Sequence, residues 1–329
     1  MFRRKLGIVF GIMLVFSIAG ACLVSAFGKR KTEEAEDGLL VAASFYPVWI
    51  ITENVCAGVE GVHVVNLTQN HKGCLHDYQL TAADMLTLET ADIFVINGGG
   101  MELFIEEIAG KVPELRVIDT CSGMDLLESG GHSHEHGAPA AAAKSSPADP
   151  ADDSGHTMNG HVWMDPVRYQ QQIRTAAAAL GAADPAHAAR YNENAERYCG
   201  EVAALWDEYR DVTAALNGTE VVLFHDAFYY LCDACGMEVL HGVDMDADTA
   251  LSAGEIAELT DEVRYHGVKY FLAEETGRAA AEQLAAETGA QVIYLNPLTE
   301  GGAAADSYLQ GMRENLELLT GLTEQKDGL

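Results

Sequence analysis

The sequence predicts an α/β protein: two β/α lobes with parallel-type sheets, joined by a long rigid backbone helix. Three observations carry that reading. Short apolar runs alternate with helical stretches, the pattern of parallel strands linked by crossover helices. The alternation occurs twice, over 39–165 and again over 219–329. Between the two, residues 166–218 are helical in pattern throughout.

Ahead of the first lobe, Arg3, Arg4 and Lys5 precede 22 uncharged residues, Leu6 to Phe27. A basic start followed by an apolar stretch is an export signal, so residues 1–28 form a signal or anchor segment. The run Ile18-Ala19-Gly20-Ala21-Cys22 resembles a bacterial lipobox, with Cys22 as the lipidated residue. Cleaved secretion and an uncleaved span are the alternatives. All three put the body outside the cytoplasm, and lipidation at Cys22 anchors it to the cell membrane. Residues 29–38, polar and charged, read as a flexible tether.

In the first lobe, residues 39–45 are a continuous apolar run, as for a strand buried on both faces. A helix over 48–57 and a strand over 62–67 follow. Thr81 caps a helix over 81–89, with Asp84 in its first turn. A strand over 91–97 stops at Gly98-Gly99-Gly100, then come a helix over 101–109 and a strand over 115–119. The stretch 130–156 breaks the pattern with four histidines, an alanine run and three prolines. Its His132, His134 and His136 are a candidate auxiliary metal-binding loop, or an alanine/proline spacer with incidental histidines.

In the linker, Asp165-Pro166 starts a helix that stops at Gly181, and Asp184-Pro185 starts the next. That second helix carries Tyr191, Ala195, Tyr198, Val202, Leu205, Tyr209, Val212 and Leu216, one apolar stripe on one side. At its full length it would span about 45–50 Å. The second lobe repeats the alternation. Strands over 221–224, 237–240, 268–273 and 292–295 are interleaved with helices over 227–235, 252–266, 278–288 and 304–319. Ser252 and Glu255 form a capping box.

Charge narrows the function. Twenty Lys and Arg stand against 50 Asp and Glu. Nucleic-acid partners need clustered cations, so they are excluded. Cys232-Asp-Ala-Cys235 is a lone CxxC, and a zinc knuckle would need a second pair. Buried thiols or one local bridge are expected instead.

Three histidines sit in similar frames: Gly73-Cys-Leu-His76-Asp-Tyr78, His161-Val-Trp-Met-Asp165-Pro166 and Phe224-His225-Asp-Ala-Phe228. His225 ends a strand and His76 follows one, where ligands gather in parallel sheets. Three neutral imidazoles suit a transition metal, zinc above all. An acid follows His76 and His225 directly and Asp165 lies four after His161, as for carboxylates that orient ligating rings.

These three motifs, with Asn97-Gly-Gly-Gly-Met-Glu102 and the His-rich loop before His161, resemble the metal-specific solute-binding proteins of bacterial ABC importers, in their zinc-binding branch. The resemblance covers nearly all of 39–325. It implies two β/α lobes joined by one long helix, and His76, His161 and His225 as metal ligands. Manganese members tend to carry glutamate at the third position, so His225 implies zinc. At the fourth position the family commonly has aspartate before Pro-Leu, and this chain has Asn296. Asn296 offers a neutral carbonyl oxygen; water, Glu274, Glu275, Glu300 and Cys74 are the alternatives. The implied function is extracytoplasmic capture of Zn(II) by a monomer and delivery to an ABC permease, not catalysis. A manganese or mixed-metal carrier is the alternative, and a zinc-dependent hydrolase, for which no HExxH is present, the remote one.

Overall fold

The apolar runs form strands where the sequence places them, and the strands assemble into two parallel sheets. The computed structural model describes residues 38–69, 71, 73, 75, 78–129, 158–243 and 251–326. Expectations for the segment 1–28, for Cys22, for His76 and for His132, His134 and His136 lie outside the described residues. The second sheet and most of the first belong to one compact unit, Leu40–Val59 with Val64–Leu329. In the other unit, the Leu39 N–H donates to the Gly61 carbonyl at 2.7 Å.

The first sheet has the order β2-β1-β3-β4, from β1 (Leu39–Ala43), β2 (Val62–Asn66), β3 (Ile93–Ile96) and β4 (Arg116–Asp119). Val41 lies opposite Ile93 and Ile96 opposite Asp119. The second sheet repeats that order as β6-β5-β7-β8, from β5 (Glu220–Phe224), β6 (Glu238–Gly242), β7 (Tyr270–Ala273) and β8 (Gln291–Tyr294). Every residue of β3 and β7 is buried, as for strands covered by helices on both faces. In each sheet the chain steps to one side of its first strand and then returns to the other. The switch points are therefore β1/β3 and β5/β7, and open sheets bind ligands at the carboxyl ends of such strands.

The helices of the first lobe are α1 (Tyr46–Cys56), α2 (Ala82–Thr90) and α3 (Ile105–Lys111). The linker holds a 3₁₀ turn (Val162–Met164), α4 (Pro166–Ala183), α5 (Ala188–Glu208) and α6 (Arg210–Leu216). The second lobe adds α7 (Phe228–Cys235), α8 (Ala253–His266), α9 (Arg278–Thr288) and α10 (Ser307–Lys326).

Four boundaries depart from the sequence reading. The helix α3 begins at Ile105 because the Glu102 carboxylate accepts from the Asn97 and Gly98 N–H groups, which folds 97–102 into a turn. In α4, Gly181 is interior rather than terminal. A Cβ there would meet Ala188 Cβ at 3.1 Å, so this glycine serves a close helix approach. The next helix starts at Ala188, after a turn over 184–187 held by Asp184. The single rod expected through Leu216 is two helices, broken at Tyr209. At 21 residues α5 runs about 32 Å. Its stripe Tyr191, Ala195, Tyr198, Val202 and Leu205 is buried, whereas Tyr209 is only half-buried.

The last helix returns to the first lobe. Tyr46 donates its hydroxyl proton to Ser307 Oγ (2.8 Å), and Asn54 Nδ2 donates to the Ala305 carbonyl (2.8 Å). Tyr308 stacks on Tyr169 of α4 with centroids 3.8 Å apart.

Candidate metal centre

The loop that carries His161 is anchored from both sheets. Towards the first, Asn97, which follows β3, donates through Nδ2 to the Gly160 carbonyl at 2.8 Å. Gly160 is required there, since a Cβ would fall 3.1 Å from the Gly99 carbonyl oxygen and 3.1 Å from Met101 Cε. Towards the second, Asn159 donates through Nδ2 to the Asp226 carbonyl at 2.9 Å, and Tyr230 donates its hydroxyl proton to the Asn159 carbonyl at 2.8 Å.

Asn159 is buried, and its Oδ1 accepts from the His161 backbone N–H at 2.9 Å. The same oxygen lies 2.9 Å from His161 Nδ1. Because Nδ2 is committed to a carbonyl, Oδ1 is an acceptor, so His161 Nδ1 carries the ring proton and Nε2 the lone pair. His161 is fully buried, against Trp163 with centroids 5.0 Å apart. Trp163 is fixed in turn, donating through Nε1 to the Pro297 carbonyl (2.8 Å) and accepting at its own carbonyl from Tyr308 (2.7 Å).

His225 follows β5 and Glu274 follows β7, so the two strands flanking the second switch point present an imidazole and a carboxylate side by side. The distance from His225 Nε2 to Glu274 Oε2 is 3.6 Å. Glu274 Oε1 accepts from Thr276 Oγ1. His225 meets His161 edge to face, with centroids 5.4 Å apart at 82°. One donor atom from each of His161, His225 and Asp226 lies within 4.8 Å of the others. Asp226 Oδ1, however, faces the Nδ1 edges of both rings, 3.5 Å from His161 and 3.4 Å from His225. Glu274 therefore lies at the Nε2 edge of His225, and Asp226 at the Nδ1 edges of both rings.

His225 Nδ1 accepts from the Ala227 N–H at 2.9 Å, which puts that ring's proton on Nε2. For an ion to take Nε2, this proton must leave or move to Nδ1. The Ala227 bond then opens, and Asp226 is placed to accept from Nδ1–H instead.

His76 cannot be placed among the described residues, but part of its loop can. Tyr78 donates to Asp84 Oδ2 (2.7 Å) and packs on Phe104 at 5.9 Å. His71 lies edge-on to Tyr78 at 4.8 Å. Asn296 is exposed, and its Oδ1 accepts from the Leu298 N–H at 2.8 Å, closing a turn in which Leu298 takes φ 55°. Glu275 is exposed and paired with Arg278 (2.8 Å), and Glu300 is exposed. Asp165 does not orient His161. It caps α4, accepting from the Val167 and Arg168 N–H groups, and pairs with Arg168, which also holds Asp233. Burial pushes the Asp165 carboxyl above its usual range while Arg168 pulls it back. The sequence reading passed over Asn159, whose signal was an Asx residue two before His161. Cys232 and Cys235 are buried free thiols, far too desolvated to ionise readily.

The family described as zinc-uptake complex component A, periplasmic, matches residues 41–321. The chain belongs to this family. A zinc-uptake component works outside the cytoplasm beside an ABC permease and is not an enzyme. The chain is 27% identical over 327 residues to the high-affinity zinc uptake system protein ZnuA of Bacillus subtilis, covering 97% of this chain and 98% of that protein. It is 25% identical over 319 residues to the zinc-binding lipoprotein AdcA of Streptococcus pneumoniae, but spans only 60% of that protein's length. The solved Zn(II)-bound AdcA aligns with a TM-score of 0.68 over 87% of this chain and 58% of that one. The Ni2+ complex of the binding protein FpvC from P. aeruginosa, 24% identical, has a TM-score of 0.70 over 88% of this chain and 98% of that one, a likeness of fold. Among the described residues, no helix is long and apolar enough to cross a membrane.

Proposed function

We propose that this chain captures Zn(II) with high affinity outside the cytoplasm and hands it to the permease of an ABC importer, holding the ion at His161 and His225 together with His76. One observation supports this above the others. Two imidazoles from separate parts of the fold meet within 5.4 Å, and the buried one keeps its Nε2 lone pair because Nδ1 is hydrogen-bonded. A site rich in imidazole suits zinc better than manganese. The fourth donor is an oxygen. Glu274 Oε2 is the best placed, at the Nε2 edge of His225, and Asn296, with Oδ1 turned to Leu298, is the weaker candidate.

The same reading assigns 39–165 and 219–329 as lobes, 166–218 as their link, 29–38 as tether and 1–28 as the export segment with Cys22 the lipid anchor. His132, His134 and His136 act as a secondary, weaker zinc tract, and the protein works as a monomer. Calorimetric titration with Zn(II) and Mn(II) tests the core of it. Zn(II) is expected to bind tightly and to raise the unfolding temperature, since the ion binds the folded state alone. His161→Ala is expected to lower zinc affinity by at least about two orders of magnitude without unfolding the protein. Unchanged zinc binding in that variant, or a preference for Mn(II) in the native chain, would remove the proposal.

A further inference from the structure

We infer that Asn159 is the positioning residue of the zinc site: it holds His161 as the Nδ1–H tautomer, so that Nε2 always presents its lone pair to an incoming ion. The inference rests on the zinc reading of His161 and adds a residue that touches no metal.

The orientation of the Asn159 amide is set by its surroundings. Nδ2 donates to the Asp226 carbonyl at 2.9 Å, and a flipped amide would put an oxygen against that carbonyl. With Nδ2 fixed there, Oδ1 faces the His161 N–H and His161 Nδ1, both at 2.9 Å. An oxygen acceptor at that distance requires a proton on Nδ1. The backbone of Asn159 is held as well, its N–H donating to the Leu127 carbonyl at 2.8 Å and its carbonyl accepting from Tyr230 at 2.8 Å. Tyr230 also accepts from the Leu127 N–H at 3.0 Å, which closes the ring of bonds. Asp226 Oδ1 also faces His161 Nδ1, but at 3.5 Å it is past good hydrogen-bonding distance. It biases the tautomer and does not fix it. Asn159 is 1% exposed, so the acceptor is not diluted by solvent. Its Nδ2 bond also ties the His161 loop to the residue next to His225. One side chain therefore sets both the chemistry of one ligand and its spacing from the other.

The test uses the full chain with Asn159→Leu and Asn159→Asp, and His161→Ala as reference. Leucine keeps the volume and removes the acceptor. Aspartate keeps the acceptor towards Nδ1 and loses the donor towards Asp226. Ring nitrogen NMR of the metal-free protein reads the tautomer, and calorimetry with Zn(II) alone reads affinity. The native protein is expected to show a protonated Nδ1 and an unprotonated Nε2 at His161. In Asn159→Leu the ring is expected to take up Nε2–H, with zinc affinity about 10–100-fold lower. Asn159→Asp is expected to retain Nδ1–H and to recover most of that loss. Zinc affinity in a folded Asn159→Leu within threefold of native, or an unchanged tautomer there, overturns the inference while the His161→Ala loss leaves the zinc reading standing. If the leucine variant does not fold, Nε2–H at His161 in Asn159→Asp overturns it alone. Native-like zinc binding in His161→Ala overturns both.

Discussion

Glu102 is a buried carboxyl at the turn that precedes α3. It is 4% exposed and accepts from Ser44 Oγ at 2.7 Å, from the Asn97 N–H at 2.8 Å and from the Gly98 N–H at 3.0 Å. Burial pushes its carboxyl from 4.5 up to about 7, with those donors pulling the other way. Between those values the folded protein holds a proton that the unfolded chain has released. Glu102 therefore adds most stability below about pH 4.5, and that contribution is lost as pH rises through about 7. Denaturation of the metal-free protein at pH 5 and pH 8 is expected to show native stability falling by about 2–3 kcal/mol more than that of Glu102→Gln. Parallel slopes for the two proteins would refute it. At this scale the sequence is half legible. His161 and His225 stood out because their neighbours form recognisable frames. Asn159 did not, because an asparagine becomes a ring-orienting group only when another strand's end supplies the carbonyl for its amide. Asp165 misled for the complementary reason: a helix N-cap four residues on is the same carboxylate in sequence and a different one in space.

Local elements were more legible, because their causes are local. Thr81 and Asp84 cap α2, and Ser252 and Glu255 cap α8, in full reciprocal boxes. The boundaries that moved did so where a contact a few residues away reshapes the chain, as at Gly181 against Ala188 and at the turn held by Glu102. Asp84 shows how a cap can serve beyond its helix. Its Oδ2 accepts from the Thr81 N–H at 2.7 Å and from the Tyr78 hydroxyl at 2.7 Å, so the cap of α2 also holds Tyr78, two positions after His76 in the sequence. Thr81→Ala removes one capping bond and is expected to cost about 1 kcal/mol. Asp84→Ala strands both donors and is expected to cost about 2 kcal/mol. It should also weaken zinc binding, which Thr81→Ala should not. Urea denaturation and zinc calorimetry on the two variants separate these outcomes. Equal zinc affinity in both would detach Asp84 from the site.

For the molecule as a whole, the repeated strand order sets two switch points, and the segment with His161 is bonded to the strand ends of both, through Asn97 and through Asn159. The lobes are tied elsewhere too. Tyr46 bonds Ser307, Asn54 bonds the Ala305 carbonyl, and Trp163 bonds the Pro297 carbonyl. The link is fastened to the second lobe as well, by Tyr169 stacked on Tyr308 and by Arg168 of α4 paired with Asp233 of α7. A wide hinge opening would break the bonds between the lobes together. Re-forming the Ala227 bond to His225 Nδ1 returns that ring's proton to Nε2 and takes one ligand from the ion without moving either lobe. Release is therefore expected through the loops at the strand ends, with the lobes nearly fixed. Spin labels at the exposed positions Leu86 and Tyr265, one on each lobe, provide the measurement. The distance between them is expected to change by less than about 2 Å between metal-free and zinc-loaded protein. A change several times larger would mean that these ties open on unloading and that the link between the lobes acts as a hinge.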